Sequence, residues 1–293
     1  MRLNLLVIFL YIKLRGLGGM PGKIEFNDVA FSYDGADPVF EQLSFTLQSG
    51  QTTALVGPNG SGKSTIIKLL DGLLLPTAGT IKLDDEPLRQ ENRQRLQQKL
   101  ALVFQTPADQ LIAGTVAENV AFGLENRQVD YETMHQLVPQ AMKQVGISEL
   151  AEHDPSWLSG GQQQKVALAS ALAVQPEILV LDEATSMLDA ATKEAITTVL
   201  TQLQKTTQLT ILMITHDVSA VAQADQVLAL NQHKVVFQGA PARFFEQPDL
   251  LTAMQMQAPF SAQVQHQLCD RGITVPAHYL DDEGLSQWIS QLF

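Results

Sequence analysis

The stretch Gly57-Pro58-Asn59-Gly60-Ser61-Gly62-Lys63-Ser64-Thr65 follows a short apolar run at residues 53–56. Four residues separate Gly57 from Gly62, and Lys63 and Ser64 come next, which is the spacing of a P-loop. In such a loop the backbone amides surround phosphate groups, while the lysine reaches phosphate and the serine reaches magnesium. The pattern predicts a buried strand, a phosphate-binding loop and a helix over residues 64–74, and it predicts a nucleoside triphosphate as the ligand.

The chain on either side of this loop predicts an α/β domain. Residues 178–181 and 209–214 are continuous apolar runs typical of buried parallel strands, and residues 190–205 supply a helix between them. This arrangement is a right-handed βαβ crossover by default. Upstream, the alternating residues 24–26 and 43–47 predict antiparallel strands of a small sheet beside the nucleotide.

Composition shifts predict the domain boundaries. Residues 106–157 are rich in helix formers, with 134–145 the clearest amphipathic piece, so they are expected to form a helical subdomain. Prolines recur after residue 240 between helical stretches, which favours a C-terminal helical appendage over further sheet. The expected organisation is an N-terminal extension over 1–22, a nucleotide-binding domain over 23–240 and the appendage over 241–293.

Residues 5–12 are strongly apolar but much shorter than the roughly 20 residues that a membrane-spanning helix needs. They lack a convincing signal-peptide cleavage site. Met20 precedes a normal-looking domain start. The extension is therefore expected to be disordered or an artefact of the assigned start site, with an interfacial anchor as the alternative.

Charge and cysteine content exclude several function classes. The net charge of −12 opposes a general nucleic-acid binder, because affinity for the phosphate backbone rests on clustered Lys and Arg. The single Cys269 cannot form an internal disulfide, and no cysteine-based metal site is readable. Local groups such as Lys63 and oriented amides must therefore attract the acidic nucleotide.

Asp182 and Glu183 end one of the apolar runs. Asp182 can hold magnesium through water, and Glu183 can accept or orient a proton of the water that attacks the γ-phosphate. The alternative is an acidic strand end that faces solvent, which the nearby P-loop disfavours. His216, after the next apolar run, is expected to bond the γ-phosphate and position Glu183. The other histidines are interpreted as ordinary polar residues: His135, His153, His233, His266 and His278.

Two further residues are weaker candidates taken alone. Gln105 follows the short strand expected at residues 101–104, and its amide is expected to touch magnesium or the attacking water. Tyr33 is expected to stack on adenine, although a half-buried strand aromatic is an equally good interpretation of it.

The segment Leu158-Ser159-Gly160-Gly161-Gln162 opens a helix that continues to Ala173. Its amides and hydroxyl form a second anion-binding helix terminus. One nucleotide does not need two such cradles in one chain. A head-to-tail pair of protomers, in which each segment meets the triphosphate on the opposite P-loop, is therefore expected, and a simple Gly-rich turn is the alternative.

With these residues assembled, the chain resembles the ATP-binding cassette (ABC) ATPases over about residues 23–239. The resemblance implies an α/β P-loop NTPase fold of the ABC type, with an antiparallel β subdomain, a helical subdomain and, here, a small C-terminal appendage. It makes residues 57–65 the Walker A motif, Gln105 the Q-loop, residues 158–162 the signature, and Asp182 and Glu183 the Walker B pair. Asp189 becomes the D-loop aspartate and His216 the switch histidine. Tyr33 matches the adenine-stacking position.

The resemblance assigns roles around ATP and magnesium. Glu183 and His216 are the expected catalytic residues. Magnesium is expected at Ser64, Gln105 and Asp182. ATP is expected at Tyr33, Gly57, Pro58, Asn59, Gly60, Ser61, Gly62, Lys63, Ser64 and Thr65. The partner's ATP is expected at the signature residues Leu158, Ser159, Gly160, Gly161 and Gln162.

More narrowly, the chain resembles the ATPase subunits of energy-coupling factor transporters. Three features carry this: FQTPADQ at 104–110 leading to VAFGLEN at 120–126, the Ser-Met-Leu-Asp loop at 186–189, and the C-terminal appendage. The loop is similar to that of the first of two paralogous ATPases. Ala184, in place of the usual Pro or Ser, and Ala108, in place of a frequent Asp, depart from common forms without removing a ligand.

The resemblance implies an ATP hydrolase that powers vitamin or metal-ion uptake from the cytoplasmic face of the cell membrane. Its implied partners are a second paralogous ATPase or a second copy of itself, a transmembrane coupling subunit and substrate-binding membrane subunits, with no nucleic acid. A conventional importer ATPase with a dedicated permease is the alternative. A non-transport cassette ATPase is disfavoured by the compact interval between Walker A and signature and by the acidic charge.

Overall fold

The computed structural model describes residues 22–34, 37–186, 188–276 and 279–290. The expected N-terminal extension lies outside these ranges apart from Gly22, as do Met187 and His278. The strands are β1 (Ile24–Ser32), β2 (Pro38–Leu47), β3 (Thr52–Val56), β4 (Ala78–Leu83), β5 (Glu86–Pro87), β6 (Leu100–Val103), β7 (Ile178–Asp182), β8 (Thr210–Ile214), β9 (Gln226–Asn231) and β10 (Lys234–Gly239). The helices are α1 (Lys63–Leu70), α2 (Arg93–Gln97), α3 (Val116–Asn126), α4 (Tyr131–Gln144), α5 (Gly160–Ala173), α6 (Ala190–Thr207), α7 (Val218–Ala222), α8 (Pro241–Phe245), α9 (Pro248–Ala253), α10 (Phe260–Asp270) and α11 (Asp282–Ser290).

The strands form two sheets. One is antiparallel, with the order β2-β1-β4-β5, and it contains both strands expected near the N-terminus. The other has the order β10-β9-β3-β8-β7-β6, and its strands are parallel except for β10. The β7-α6-β8 segment is the expected crossover between adjacent parallel strands.

Alternation along the parallel strands produces a core on each face. In β7, Ile178 and Val180 pack with α1 and the antiparallel sheet. Leu179 and Leu181 pack with helices on the opposite face. Side chains of a strand point alternately to its two faces, so a strand buried on both sides is apolar throughout. This explains why the runs at residues 178–181 and 209–214 contain no polar alternation.

Helix α1 ends earlier than its sequence predicts. The prediction extended it to residue 74, but it ends at Leu70, with Asp71 as its C-terminal capping residue. Gly72 adopts a left-handed φ of 70°, and the Leu74 amide turns back to the Lys68 carbonyl. Glycine adopts this conformation at no steric cost and commonly ends helices. The apolar residues after it therefore belong to a turn, and Leu73 is largely exposed.

Asp71 is expected to destabilise the protein at neutral pH. Burial raises the pKa of its carboxyl to about 6, against about 3.9 for an unperturbed aspartate. Between pH ~4 and pH ~6 the folded state therefore holds a proton on Asp71 that the unfolded state has lost. The stability of the folded state is not reduced by Asp71 below pH ~4, and it falls as the pH rises to ~6, because the folded protein must then carry a buried charge. With allowance for solvent screening of this half-buried group, Asp71→Asn should raise the free energy of unfolding by about 1–2 kcal/mol at pH 7 and hardly change it at pH 4.

Urea denaturation of both proteins at the two pH values measures this difference. Asp130→Asn is a suitable control, because backbone and side-chain hydrogen bonds from Thr133 hold the pKa of Asp130 below its usual range. It should lower stability at pH 7. A gain for Asp71→Asn that was equal at pH 4 and pH 7 would show that titration of Asp71 is not the cause.

The helical layer is larger than expected. Helix α4 confirms the amphipathic segment predicted at residues 134–145. However, α5 packs against both α3 and α4 and continues the same buried cluster. The helical region therefore extends from about residue 106 to Ala173 rather than ending at 157. Sequence periodicity missed this because α5 is apolar on most of its faces, as helices buried on several sides are.

The segment after residue 240 is helical, as predicted, but its first part packs on the parallel sheet. Phe244 and Phe245 of α8 are buried in one cluster with Ala54 of β3 and Ala229 of β9. Two small side chains on the sheet leave room for the two rings. The proposed boundary at residue 240 therefore divides segments that share a core. In the described part of the chain no helix combines the length and apolarity needed to cross a bilayer.

Candidate active site

The predicted site residues follow four neighbouring parallel strands. The P-loop follows β3, His216 follows β8, Asp182 and Glu183 end β7, and Gln105 follows β6. Parallel strands place their carboxyl ends at one edge of the sheet, which is where α/β folds bind ligands. The structure thus brings together residues that are up to about 160 positions apart in sequence.

Close packing explains why two positions of the P-loop are occupied by glycine. A Cβ at Gly57 would lie 2.3 Å from the Leu230 carbonyl oxygen. A Cβ at Gly62 would lie 2.7 Å from the ring of Phe40, and Gly62 has a left-handed φ of 107°. Any side chain at either position would force the loop off the sheet or off the ring. Gly62 also caps α1 without a side-chain bond, which leaves the amides at the helix start available to an anion.

Lys63 is held beneath the loop. Its Nζ donates to the carbonyl oxygens of Gly57 at 2.6 Å and Pro58 at 3.1 Å. Burial lowers the pKa of this amine, and the negative charges of Glu183 and Asp182 oppose that shift. The cation is therefore partly desolvated and already near the phosphate position, which strengthens its attraction to an anion.

Asp182 and Glu183 form a pair of neighbouring carboxyl groups. Burial raises the pKa of Asp182, the charge of Glu183 raises it further, and Lys63 partly offsets both. A dication beside the pair would stabilise its ionised form. Glu183 has a left-handed φ of 49°, and its amide donates to the Ile214 carbonyl at 3.0 Å. The site thus holds Glu183 in an uncommon backbone conformation that side-chain periodicity does not reveal.

Glu183 lies between Gln105 and His216. The Gln105 Nε2 donates to Glu183 Oε2 at 2.7 Å, and His216 Nε2 lies 3.7 Å from Glu183 Oε1. The expected proximity of His216 to Glu183 is therefore present. Gln105 was expected at magnesium or water, yet in this structure its amide bonds the carboxylate itself.

Magnesium fits the donor set near the P-loop. Ser64 and Asp182 supply a hydroxyl and a carboxylate, and the Gln105 carbonyl is a third oxygen donor after a rotation of its amide. Magnesium sites on nucleotides use one or two carboxylates together with phosphate and water oxygens. The described residues contain no cluster of three or more His, Cys, Asp or Glu side chains able to hold a metal, so phosphate oxygens would have to complete such a site.

The signature residues form a capped helix start. Ser159 Oγ accepts from the Gln162 amide, and Gln162 Oε1 accepts from the Ser159 amide at 3.0 Å. This capping box leaves the amides of Gly160 and Gly161 for an anion. Helix α5 packs against β6, three strand positions from β3 in the sheet, or roughly 14 Å at the usual strand spacing. The helix that the signature opens therefore packs against a different strand from the one that carries the P-loop.

Tyr33 lies beside the P-loop helix. Its hydroxyl is 3.2 Å from Thr65 Oγ1, and its ring packs edge-on against Phe31 with the Lys68 amine 6.0 Å from the ring centre. Tyr33 is 39% exposed.

Asp189 caps α6, where its carboxylate accepts from the amide and hydroxyl of Thr192. These bonds hold the pKa of Asp189 below its usual range.

Sequence reasoning missed a histidine that contacts the P-loop. His233 was interpreted as an ordinary polar residue, but its Nε2 lies 2.9 Å from the Gly60 carbonyl oxygen. It sits in the turn between β9 and β10 with a left-handed φ of 64°, and its ring meets Phe40 edge-on. Only the pairing of β9 beside β3 brings this turn to the loop. The described residues show no such contact for His135, His153 or His266.

Two family models and several known proteins match this chain. The family model described as "ABC transporter" matches residues 40–186, and the one described as "Energy-coupling factor transporter EcfA1 C-terminal domain" matches residues 259–293. The energy-coupling factor transporter ATP-binding protein EcfA1 of Enterococcus faecalis is 38% identical over 268 residues, which are 91% of this chain and 96% of that protein.

Two solved structures are similar in fold. The chain cbiO1 from Clostridium perfringens, described as part of the ABC transporter complex cbiONQ, is 28% identical with a TM-score of 0.73, and the match covers 84% of this chain and 99% of that one. The dimeric structure of a bacterial ABC transporter cassette is also 28% identical, with a TM-score of 0.68, and covers 74% of this chain and 98% of that one.

Proposed function

Because the chain belongs to the ABC transporter ATPases, and among them to the energy-coupling factor transporter ATP-binding proteins, we propose that it binds Mg-ATP at a dimer interface and powers uptake through a membrane partner. It is the ATP-hydrolysing subunit of such a transporter. The observation that carries the proposal is the convergence of Gln105 and His216 on Glu183 beside the P-loop.

The proposed chemistry is hydrolysis of the γ-phosphate by water. Lys63 and the loop amides bind the triphosphate. Ser64 and Asp182 would hold magnesium, which would neutralise phosphate charge. Glu183 accepts the proton of the attacking water, and His216 orients Glu183 and the phosphate. In this proposal Gln105 first releases Glu183, which makes the second carboxylate oxygen fully available to the attacking water.

The proposed assembly pairs this chain head-to-tail with a second ATPase, either its paralogue or another copy of itself. The packing of the signature helix against β6, whereas β3 carries the P-loop, supports this proposal. A similar cassette is described as dimeric. In such a pair, Gly160 and Gly161 of one protomer bind the γ-phosphate held by the other.

A groove on the helical layer is the proposed contact with the transmembrane coupling subunit. It has a volume of about 420 Å³ and lies between β6, α3 and α5. Phe122 lines it and is 41% exposed, and Gln98 and Arg127 border it. Its lining combines apolar and polar side chains, which fits a short amphipathic segment of a partner. In the proposed complex, further membrane subunits bind the vitamin or metal ion that is taken up. This chain would lie on the cytoplasmic face of the cell membrane.

Purification from a detergent extract tests this function. Tagged protein should retain a polytopic membrane partner and hydrolyse ATP. Phe122→Asp should lose the partner and retain ATP binding, whereas Tyr131→Asp, at an exposed aromatic on α4 outside the groove, should keep both. Recovery of ribosomes or DNA with no membrane protein would overturn the proposal.

Tyr33 provides a separate prediction on nucleotide affinity. If its ring stacks on adenine, Tyr33→Ala should raise the KM for ATP about tenfold, since stacking on an aromatic ring contributes about 1–3 kcal/mol per base. Tyr33→Phe removes only the bond to Thr65 and should leave KM within about twofold. Steady-state hydrolysis measures both. Equal KM values for all three proteins would identify Tyr33 as a strand aromatic only.

A further inference from the structure

Two glutamine side chains hold the backbone that precedes Gln105. Gln110 accepts from the Phe104 amide at 2.9 Å and donates to the Leu102 carbonyl at 3.1 Å. Strand β6 is at the edge of its sheet, so this side chain takes the place of a neighbouring strand. Gln164 donates its Nε2 to the Phe104 carbonyl at 3.3 Å. Gln110 is local to this loop, whereas Gln164 comes from helix α5.

Gln164 is an unusual residue for its position. It is 2% exposed, and its Oε1 is buried without a hydrogen-bond partner. Buried amide groups are normally satisfied on both sides, and an orphaned oxygen destabilises the arrangement that contains it relative to any that supplies a donor. A small shift of the loop against α5 is therefore favoured if it brings a donor to this oxygen.

The helix that carries Gln164 begins at the signature. Ser159 caps α5, and Gln164 lies just over one turn beyond it on the same rigid element. The peptide held by Gln164 is followed directly by Gln105, whose amide bonds Glu183. An unbroken chain of contacts thus runs from the signature through Gln164 and Phe104 to the general base.

We propose that Gln164 is a positioning residue that couples movement of the signature helix to release of Glu183 by Gln105. The inference rests on the proposed function, in which the signature engages ATP held by the partner ATPase. When that engagement moves α5, Gln164 shifts the Phe104 carbonyl, and Gln105 leaves Glu183. ATP engagement in one composite site thereby activates the base of the other.

The test is a double-mutant cycle on the complete transporter complex. Gln164→Met, which keeps the side-chain length and removes both polar atoms, should lower kcat for ATP hydrolysis about tenfold and leave KM within twofold. Gln105→Ala removes the amide that holds Glu183, so in its background Gln164→Met has no bond left to keep in place. The double variant should be no slower than Gln105→Ala alone, because Gln164 acts only through Gln105.

Gln163→Met is the matched control, since Gln163 lies next to Gln164 on α5 but donates to the Pro155 carbonyl. Its kcat should stay within twofold of the native value. Gln164→Glu keeps the shape but points a carboxylate oxygen at the Phe104 carbonyl, so it should lose kcat as Gln164→Met does. The thermal unfolding midpoint of each variant shows whether it folds. If Gln164→Met does not fold, the kcat of Gln164→Glu, alone and combined with Gln105→Ala, tests the proposal in its place.

An unchanged kcat in folded Gln164 variants, or a kcat loss from Gln164→Met that persists in full in the Gln105→Ala background, would overturn the coupling role. If neither Gln164 variant folds, Gln164 is a packing residue and the proposal is likewise overturned. Failure of the proposed function is distinguishable from all these results, because the native complex itself would then not hydrolyse ATP.

Discussion

Replacing Glu183 by glutamine is expected to lower the rate of ATP hydrolysis by about 10²- to 10⁴-fold, the usual contribution of a general base. Glutamine has the same shape but cannot accept a proton from water. ATP binding should persist, because the contacts of Lys63 and the P-loop amides are untouched. Removal of the Glu183 charge also removes one cause of the raised pKa of Asp182, which favours the ionised form that binds magnesium.

Single-turnover hydrolysis and size-exclusion chromatography with ATP measure these effects. The variant should accumulate as an ATP-bound dimer with its partner ATPase, since closure no longer ends in hydrolysis. Glu149→Gln, at an exposed glutamate that is not assigned to the site, is the control and should behave as the native protein. Hydrolysis by Glu183→Gln at the native rate would show that another group is the base.

Lys63→Ala is expected to weaken ATP binding about a hundredfold and to abolish measurable turnover at ordinary ATP concentrations. A hydrogen bond to a charged group contributes about 1.5–3 kcal/mol, and each 1.4 kcal/mol is a factor of ten in affinity. Lys63 is partly desolvated, so its attraction to phosphate is screened less than that of a surface lysine. Lys63 is the one lysine of the loop sequence at residues 57–65, so no neighbouring lysine of that loop can replace it.

Thermal denaturation with and without ATP separates binding from folding. Ligand binding raises stability in proportion to ln(1 + [L]/Kd), so saturating ATP should raise the Tm of the native protein and hardly that of Lys63→Ala. The exposed Lys143 provides the control, and Lys143→Ala should retain the full shift. An undiminished shift for Lys63→Ala would remove Lys63 from the nucleotide site.

Much of this site follows from local sequence. The spacing from Gly57 to Ser64 predicts its own loop, because the glycines and the following helix form the cradle without distant help. The position of Asp182 at the end of an apolar run predicts its place at the sheet edge. Capping is equally local, since Ser159 and Gln162 are three residues apart on one helix turn.

Other features depend on contacts that no local pattern encodes. The end of α1 at Leu70 depends on the left-handed Gly72, although Leu73 and Leu74 continue the apolar pattern. His233 reaches Gly60 only because β9 pairs with β3. Packing of Phe244 against the sheet depends on Ala54, which lies nearly two hundred positions earlier in the chain.

The sequence by itself determined the nucleotide cradle, the parallel strands and the candidate groups at their ends, because spacing and hydrophobic period act over a few residues. Only the tertiary structure decided that Gln105 bonds Glu183 and that Gln164 holds the Phe104 carbonyl. Those bonds join residues 60 or more positions apart. These bonds exist because strand order and helix packing bring residues that are far apart in sequence to within hydrogen-bonding distance. No short stretch of the sequence encodes those distances.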